Sequence, residues 1–436
     1  MLNNSEADTS CHCKERVDWK GMMYLLPLFT ALFATVVSPH MQIATMQVGV
    51  ILEAEQYRTY MYGALYLLSL VLVLTKGITA LKMMRFHWPY LLFLAFIIIT
   101  AEWSYYPGKV FITWGHFVGF YLITLSAMIG LQGKDPLYFF RLIVLYAAIT
   151  VLITFVAVLF FPDRGIMMIG EKQRWVGLTL NANTLGMTLL FSVWGTIVFF
   201  QYSRSVVSKV FLFLLLGALA VALYGSDSMT SIVLSVMLFL SLPVLLKISR
   251  MKPLHAQISL AFLVVATLVC PLVIVAFVPD FFEPGNLLTK LTLIGRTATF
   301  TGRTSLWTVA LQAIQEKPFL GWSFDALFSV SDRFLIKGAH LHNGYLEIMV
   351  YGGVFGLMLL IGTLTQMIFN LVKMVTRNGM LFVSLSMLLL VLLIHNITEP
   401  SFGRAPSFFW LVFTMLYSYL ILMSNSNLRS RTSLTD

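Results

Sequence analysis

Charged residues are scarce in this chain. Asp, Glu, Lys and Arg make up only 11% of its 436 residues, whereas hydrophobic residues make up 58% and aromatic residues 14%. A soluble domain usually carries about 25% charged residues, and the mean hydropathy here is +0.85. These values exclude an ordinary soluble domain. Together with repeated apolar runs of about 20 residues, they predict a helical protein that crosses a membrane many times.

Cysteines and cofactor motifs are also missing or few. Cys11 and Cys13 lie in the polar N-terminal tail, and the third cysteine, Cys270, lies inside an apolar run. This spacing excludes a disulfide framework and lacks the second cysteine pair that a zinc site needs. The sequence has no Gly-x-x-x-x-Gly-Lys-Ser/Thr loop and no Asp-x-Asp pair for a metal-bound nucleotide. We therefore predict no cofactor, no metal and no ATP-driven reaction.

The formal net charge of +10 does not indicate nucleic-acid binding. Lys and Arg fall mostly in short connectors on alternate sides of the apolar runs, as the positive-inside rule predicts, so both termini are assigned to the cytoplasm. The sequence predicts an all-α, polytopic membrane protein with about twelve spans. The candidate spans lie near residues 21–37, 59–75, 88–103, 110–131, 137–161, 182–201, 206–224, 229–246, 257–278, 343–372, 379–396 and 405–424.

One connector is much longer than the others. Residues 1–20 and 425–436 are predicted cytoplasmic tails, and residues 21–278 and 343–424 carry nine and three spans. Residues 279–342 remain as the one larger extra-cytoplasmic loop. Within this loop Arg303 to Glu316 is predicted to form an amphipathic helix, with Thr301 as N-cap and Pro318 as its stop. Such a helix is expected to lie on the membrane surface.

Two arginines on the extra-cytoplasmic side have settings that favour an anion. Arg303 falls in the first turn of the amphipathic helix, where unpaired N–H groups and the helix dipole already attract phosphate. Arg174 precedes Gly177, which lets the chain turn, and Asn181 and Asn183, which are expected to cap the sixth span. Because one Arg side chain can bind two phosphate oxygens at once, two such sites suit a diphosphate. The alternative is that these arginines contact lipid headgroups.

A histidine marks the start of the tenth span. The helix N-terminus disfavours a cation there, so His342 is expected to be neutral and able to accept a proton from a sugar hydroxyl. His340 is a possible substitute, and His342 acting only as a cap is the alternative. Asn343 is expected to cap the helix or to bind the acceptor. Glu399 is expected either to orient a basic partner or to form a structural ion pair.

Three glycines follow this histidine. Gly352, Gly353 and Gly356 lie about one helical turn apart, so we expect them to allow close packing of a neighbouring helix.

These motifs together resemble the bacterial O-antigen ligase and polymerase family. The similarity covers residues 160–400 well, and the first 150 residues only as a hydropathy pattern. The matching positions are Gly295-Arg296-Thr297 through Thr301-Gly302-Arg303-Thr304-Ser305-Leu306-Trp307, Pro318-Phe319-Leu320-Gly321-Trp322, the Arg-x-x-Gly and Asn of Arg174, Gly177 and Asn183, and the His-Asn, nine residues, Gly-x-x-Gly pattern of His342, Asn343, Gly353 and Gly356.

The resemblance implies a reaction and a place for it. A glycan on undecaprenyl diphosphate is transferred whole to a sugar hydroxyl at the periplasmic face of the bacterial inner membrane, without nucleotide or metal. The acceptor is lipid A–core in ligases and another lipid-linked repeat unit in polymerases. The catalytic candidates are then His342, Arg303 and Arg174. The substrate-binding candidates are Arg296, His340, Asn343, Asn183 and Glu399.

Several alternatives remain open at this point. The histidine motif is that of ligases, whereas the Gly-Arg-Thr repeat of the loop resembles exopolysaccharide polymerases. A protein O-oligosaccharyltransferase and a non-enzymatic glycan flippase or transporter are further alternatives. Transporters usually show internal repeats and broken helices near the midplane, and the sequence shows no convincing repeat.

Overall fold

The computed structural model describes residues 18–36, 48–169, 172–277, 303–334 and 340–429. Most of these residues are helical. Before the long loop the helices are α1 (Trp19–Ala34), α2 (Val48–Thr75), α3 (Gly77–Met84), α4 (Trp88–Ile99), α5 (Pro107–Leu131), α6 (Pro136–Phe160), α7 (Pro162–Gly165), α8 (Ala182–Tyr202), α9 (Val206–Ser226), α10 (Met229–Ser249) and α11 (Pro253–Phe277). After its start come α12 (Arg303–Glu316), α13 (Phe328–Phe334), α14 (Gly344–Arg377), α15 (Gly379–Thr398), α16 (Phe408–Ser424) and α17 (Ser426–Arg429).

The predicted class, an all-α multi-pass membrane protein, is confirmed. Within the described residues nine helices are long and apolar enough to cross a membrane, and three shorter apolar helices occupy the remaining predicted positions. The nine are Arg58–Thr75, Gly77–Trp103, Pro107–Leu131, Pro136–Phe160, Ala182–Tyr202, Val206–Ser226, Met229–Ser249, Gly344–Arg377 and Gly379–Thr398. The three are Trp19–Ala34, Pro253–Ala266 and Phe408–Ser424.

Helix α16 forms the centre of the bundle. All of its 17 residues are buried, as expected for a helix that is apolar on every side. Trp410 packs its ring against Phe117 of α5, with centroids 4.9 Å apart, and against Phe93 of α4 at 5.8 Å. The outermost helices instead expose large apolar side chains such as Phe213 and Phe262, which a bilayer would cover.

The two ends of the bundle differ in chemistry. One end, here called the basic end, carries Lys76, Lys134 and Arg204 in its connectors and Lys247 and Arg377 in the last turns of α10 and α14. The other end, here called the loop end, carries residues 104–106, 162–169, 172–181, 227–228, 317–334, 340–343 and 399–407. Every candidate site residue that the structure describes lies at the loop end.

The loop end also holds a short hairpin that the all-helical prediction did not include. Strands β1 (Ile166–Ile169) and β2 (Lys172–Trp175) pair antiparallel, with Met167 opposite Arg174. Gly177 follows with φ of +55°, and a Cβ there would lie 3.2 Å from Thr154 Oγ1. Only glycine adopts this conformation readily, so the chain turns close against α6, as Gly177 predicted.

The amphipathic helix of the long loop packs differently from the prediction. Helix α12 begins at Arg303 and ends at Glu316, before Pro318, as expected; Thr301, the predicted N-cap, lies outside the described residues. Ala310 and Ala313 are fully buried, and α12 packs on α14. Its buried face therefore meets protein rather than the membrane surface, because the next stretch of chain folds into the bundle.

That next stretch, residues 322–325, is buried between helices. Phe324 N–H donates to Thr100 Oγ1 at 3.2 Å, and Ser323 Oγ donates to Ser104 Oγ at 2.9 Å. Asp325 Oδ2 accepts from Ser104 Oγ at 3.1 Å. Buried irregular backbone needs protein partners for its polar groups. The turn after α4 provides one for Phe324 N–H, and α14 provides those for the N–H groups of Trp322 and Ser323.

Helix α14 breaks at Gly353, where φ is 59° and ψ is −159°. Val354 N–H donates to Pro318 O at 2.8 Å, and Trp322 N–H donates to Val350 O at 2.8 Å. Residues 318–323 thus satisfy the backbone groups that the break leaves unpaired. The prediction that Gly353 admits a neighbouring helix is wrong, since a segment of the long loop takes that place.

The two flanking glycines do face a helix. A Cβ on Gly352 or Gly356 would lie 2.9 or 3.3 Å from Phe96 Cε1 of α4. For these two positions the predicted close helix packing is confirmed.

Gly353→Ala is expected to destabilise the protein. An added Cβ would lie 2.4 Å from the carbonyl carbon and oxygen of Phe319, and backbone cannot move aside as a flexible side chain does. With ψ of −159° the backbone lies in a region that is essentially restricted to glycine and costs other residues about 1–3 kcal/mol, and the contact with Phe319 should add to this loss. Thermal unfolding of the detergent-purified variant measures it.

The matched control is Gly362→Ala in the same helix. A Cβ there meets nothing within 4 Å, so the unfolding temperature should be unchanged or slightly raised. Equal unfolding temperatures for the two variants would contradict the account of the break.

Candidate functional site

His342 lies at the loop end, just before α14. Its φ of +53° is left-handed, a conformation that residues other than glycine rarely adopt and that clusters at functional sites. Asn343 is the N-cap of α14. Its Oδ1 accepts from the N–H groups of Tyr345 and Leu346, both at 3.0 Å, and its Nδ2 donates to Ile397 O at 3.1 Å. Of the two roles predicted for Asn343, the structure shows the cap.

An acidic side chain faces this histidine. His342 Nδ1 lies 3.5 Å from Glu399 Oε2, with the two side chains 30% and 15% exposed. This distance is within the range of an ion pair, but His342 Nδ1 and Glu399 Oε2 do not form a hydrogen bond. The ring of His340 stands at 74° to the ring of His342, with centroids 3.9 Å apart. The structure thus brings together three of the predicted residues.

Glu399 continues toward Arg174 through one asparagine. Asn183 Nδ2 donates to Glu399 Oε1 at 3.5 Å, and Arg174 Nη2 donates to Asn183 Oδ1 at 3.0 Å. The four residues therefore form a continuous polar line from Arg174 to His342. They come from β2, α8, the turn after α15 and the start of α14, so only the fold brings them together.

Arg174 is also bound to the end of α9. Its Nε donates to Ser226 O and its Nη2 to Asp227 O, both at 3.0 Å, and Nε lies 3.9 Å from Asp227 Oδ2. A cation at a helix C-terminus is favoured by the helix dipole. The predicted setting beside the sixth span is therefore incomplete, since the guanidinium lies between the start of α8 and the C-terminus of α9.

The two asparagines of α8 also have different roles. Asn181 alone is the N-cap, since its Oδ1 accepts from Thr184 N–H at 2.9 Å. Asn183 was predicted to share this role but makes the link to Arg174 and Glu399.

The loop arginines are only partly described. Arg303 is the first residue of α12, where the sequence placed it, but its side chain lies outside the described residues. Arg296 lies outside them entirely. The convergence of Arg174 and Arg303 on one anion stays a prediction.

A buried glutamate that the sequence analysis did not single out supports the histidine. Glu347 is fully buried one turn into α14, and its Oε1 accepts from Leu341 N–H at 2.8 Å. It also interacts electrostatically with His342 and Arg404. The carboxylate thus holds the segment that carries His340 and His342. The signal was present, because an acidic residue inside an apolar span is a functional hint by itself.

The turn that carries Glu399 is fixed by Asn396. Asn396 Oδ1 accepts from the N–H groups of Ser401 and Phe402 at 2.9 and 2.7 Å. His395 is buried, with Nδ1 3.4 Å from Ser401 Oγ of the same turn. Glu399 therefore faces His342 from a rigid turn.

Fold and site define a multi-pass helical membrane protein with a histidine, a glutamate and an arginine aligned at one end of the bundle. Residues 211–361 match the family model described as O-antigen ligase, and this range includes His342, Gly353 and Gly356. The resemblance to the O-antigen ligase and polymerase family, drawn above from the motifs, is confirmed.

A curated relative gives a second comparison. The exopolysaccharide production protein ExoQ of Rhizobium meliloti (strain 1021) is 34% identical over 90 residues, which cover 18% of this chain and 21% of that relative. The chain thus matches about a fifth of the length of this relative.

Proposed function

We propose that this protein transfers a whole glycan from a lipid diphosphate to a sugar hydroxyl in the biosynthesis of a surface polysaccharide. The observation that carries the proposal is the pair of His342 and Glu399, 3.5 Å apart at the loop end. Transfer to a hydroxyl needs a base, and departure of a diphosphate needs stabilised negative charge. The pair provides a candidate base, and Arg174, linked to Glu399 through Asn183, places positive charge at the same end of the bundle.

In the proposed reaction His342 is the base. Its Nε2 takes the proton of the acceptor hydroxyl, whose oxygen attacks the anomeric carbon of the donor glycan. The bond from that carbon to the diphosphate oxygen breaks, and the lipid diphosphate leaves with the electron pair. Glu399, whose carboxylate faces Nδ1 at 3.5 Å, stabilises the imidazolium that forms, as the carboxylate of a catalytic triad does. The proton then passes to the diphosphate or to water.

Arg303 is proposed as the main contact for the donor diphosphate. It starts α12, where N–H groups and the dipole favour an anion. Arg174 donates three N–H groups to Asn183, Ser226 and Asp227. We therefore propose that it positions Asn183 and Glu399 and adds positive charge near the diphosphate. Arg296 and His340 are proposed to contact the substrates from the long loop.

Replacing Arg303 should lower transfer strongly. Arg303→Gln is expected to lose about 10²–10³-fold, the effect of removing one donor to a developing anion. Arg303→Lys and Arg174→Lys should each keep only part of the wild-type transfer rate, because a point charge cannot make a two-pronged contact. Single-turnover transfer from the lipid-linked donor measures these losses.

Arg333→Lys is the control for these variants. Arg333 is 58% exposed and pairs with Glu316 at 3.5 Å, so its variant should keep wild-type transfer. Full activity and full donor affinity in both Arg303→Lys and Arg174→Lys would contradict the diphosphate contact and favour contact with lipid headgroups.

The proposed function is tested with purified protein and a lipid-linked donor in excess chelator. Since the sequence lacks nucleotide and metal motifs, we expect glycan transfer without ATP or divalent metal. Activity lost in chelator and restored by Mg²⁺ or Mn²⁺ would contradict the metal independence. Donor that crosses vesicles without forming a covalent product would replace the proposal by a flippase.

The product identifies the acceptor. Longer lipid-linked chains from donor alone would indicate a polymerase, which the likeness to an exopolysaccharide production protein favours. A product on added lipid A–core would indicate a ligase, which the family model favours. In either case we propose that the loop end faces the periplasm and that the bundle lies in the bacterial inner membrane.

A further inference from the structure

A cavity of about 370 Å³ lies at the loop end, and neither His342 nor Glu399 lines it. Its volume falls in the range of small-molecule sites. Helices α2 and α5, the buried loop segment, α14 and the turn before α16 form its walls. The side chains that matter most are Arg58, Tyr62, His116, Phe324, Tyr351 and Arg404.

The cavity is positively charged. Among the described residues that line it there are two arginines and no acidic side chain. Within the described part of the chain, neither Arg58 nor Arg404 has a carboxylate oxygen within ion-pair distance. Two guanidinium groups facing one concave space attract an anion, and carboxylate or phosphate is the group that their geometry fits.

The other walls suit a sugar ring. Thr59 and Thr113 contribute hydroxyl groups. The rings of Tyr62, Phe324 and Tyr351 are at most 4% exposed and lie directly behind these walls. A sugar combines an apolar C–H face with hydroxyls, so it matches such a mixture of rings and polar atoms. His116 Nδ1 pairs with Tyr66 Oη at 2.8 Å, and His116 also lines the cavity.

The cavity adjoins the His342 site through α14. Glu347 lies on α14 between the N-cap Asn343 and the cavity residue Tyr351, and it interacts electrostatically with both His342 and Arg404. Tyr351 lies eight residues beyond the N-cap Asn343, a rise of about 12 Å along the helix. An oligosaccharide of a few units spans such a distance, and one substrate can therefore reach both places.

We propose that this cavity binds an anionic sugar residue of the glycan substrate, with Arg58 and Arg404 on its carboxylate or phosphate group. The cavity then selects glycans by charge at a point removed from the transferred bond. The identification of the ligand as part of a glycan rests on the proposed function, but the cavity can bind an anionic sugar without any glycan transfer. The other source of such an anion is a lipid headgroup, and the experiment separates the two.

The test uses the full chain in phosphatidylcholine nanodiscs and trigalacturonate as the probe. We expect trigalacturonate to bind and its carboxyl-reduced trisaccharide to bind at least about tenfold more weakly, the loss of one charge-assisted hydrogen bond. Arg58→Gln and Arg404→Gln should each cost about the same factor, and Arg404→Lys should restore part of the affinity. Arg333→Gln, on the exposed face of α13, should change nothing.

Two further measurements make the outcome decisive. Arginine labelling by phenylglyoxal, read by peptide mass spectrometry, should slow at Arg58 and Arg404 when trigalacturonate is present, but not at Arg333. Binding that is equal for the charged and reduced trisaccharides, or absent for both, overturns the proposal. Protection by phosphatidylglycerol in the disc, with none by trigalacturonate, assigns the cavity to a headgroup and also overturns it. Because trigalacturonate is not a donor, a failed transfer assay leaves these readings unchanged.

Discussion

His342→Ala is expected to lose about 10²–10⁴-fold of the transfer rate, the usual contribution of a general base. The protein should still fold, because the side chain is 30% exposed and the cap made by Asn343 is separate from it. Transfer by the purified variant, compared with its thermal unfolding, separates chemistry from stability. A His342→Ala protein with wild-type turnover would remove this residue from the mechanism.

A second substitution separates the effect of losing the imidazole ring from the effect of changing the backbone conformation. His342 has φ of +53°, which alanine tolerates poorly and asparagine tolerates well. His342→Asn should therefore keep the loop conformation while removing the base, and we expect it to be as inactive as His342→Ala. If only the alanine variant fails, the left-handed backbone rather than the imidazole explains the loss.

The neighbouring histidine provides the matched control. The ring centroid of His340 lies 3.9 Å from that of His342, so the two rings share the same surroundings. The proposed base is His342, whose Nδ1 lies 3.5 Å from Glu399 Oε2. His340→Ala should cost much less transfer than His342→Ala. The reverse order would assign the base to His340.

The spans and the loop-end residues were accessible to sequence analysis because their signals are local. A run of about 20 apolar residues identifies its own helix. Asn343 beside His342 predicts a cap from one residue type at a helix start. Arg303 at the start of α12 followed from the amphipathic pattern and from the stop at Pro318.

The break at Gly353 was not predictable in the same way. Its conformation depends on hydrogen bonds from residues 318–323, about 30 positions earlier in the chain, and these bonds join backbone to backbone. The pattern of side chains does not reveal which backbone groups pair, so Gly352, Gly353 and Gly356 were interpreted as a contact with a neighbouring helix. The buried position of residues 322–325 and the packing of α12 on α14 follow from the same unpredicted docking.

Arg174 illustrates a similar limit. The sequence placed it near α8, which is the next helix along the chain. Its bonds to Ser226 and Asp227 come from the far end of α9, a position set by how α8 and α9 pack together. The role of an arginine depends on such long-range partners. Arg174 is held by the end of α9, and the residues next to it in the sequence do not reveal this.

Glu399→Gln is expected to reduce transfer by about 10²–10⁴-fold, the upper value being that of the comparable change in a Ser-His-Asp triad. Glutamine keeps the size of the side chain and the contact with Asn183, which lies 3.5 Å away. It removes the charge that faces His342 Nδ1. Since that charge matters most once the imidazolium forms, the loss should appear in kcat rather than in the KM for the donor.

The control for this variant is the carboxylate of Asp227, which lies beside Arg174 at the far end of the polar line from His342. Asp227 lies 3.9 Å from Arg174 Nε and has φ of 49°, which asparagine tolerates. Asp227→Asn therefore removes a negative charge beside Arg174 without touching His342, and transfer should stay near the wild-type rate. Equal losses in the two variants would mean that both carboxylates act by holding Arg174. A loss confined to Glu399→Gln, restored in part by Glu399→Asp, requires instead that the carboxylate act on the histidine, which is the arrangement that a base at His342 needs.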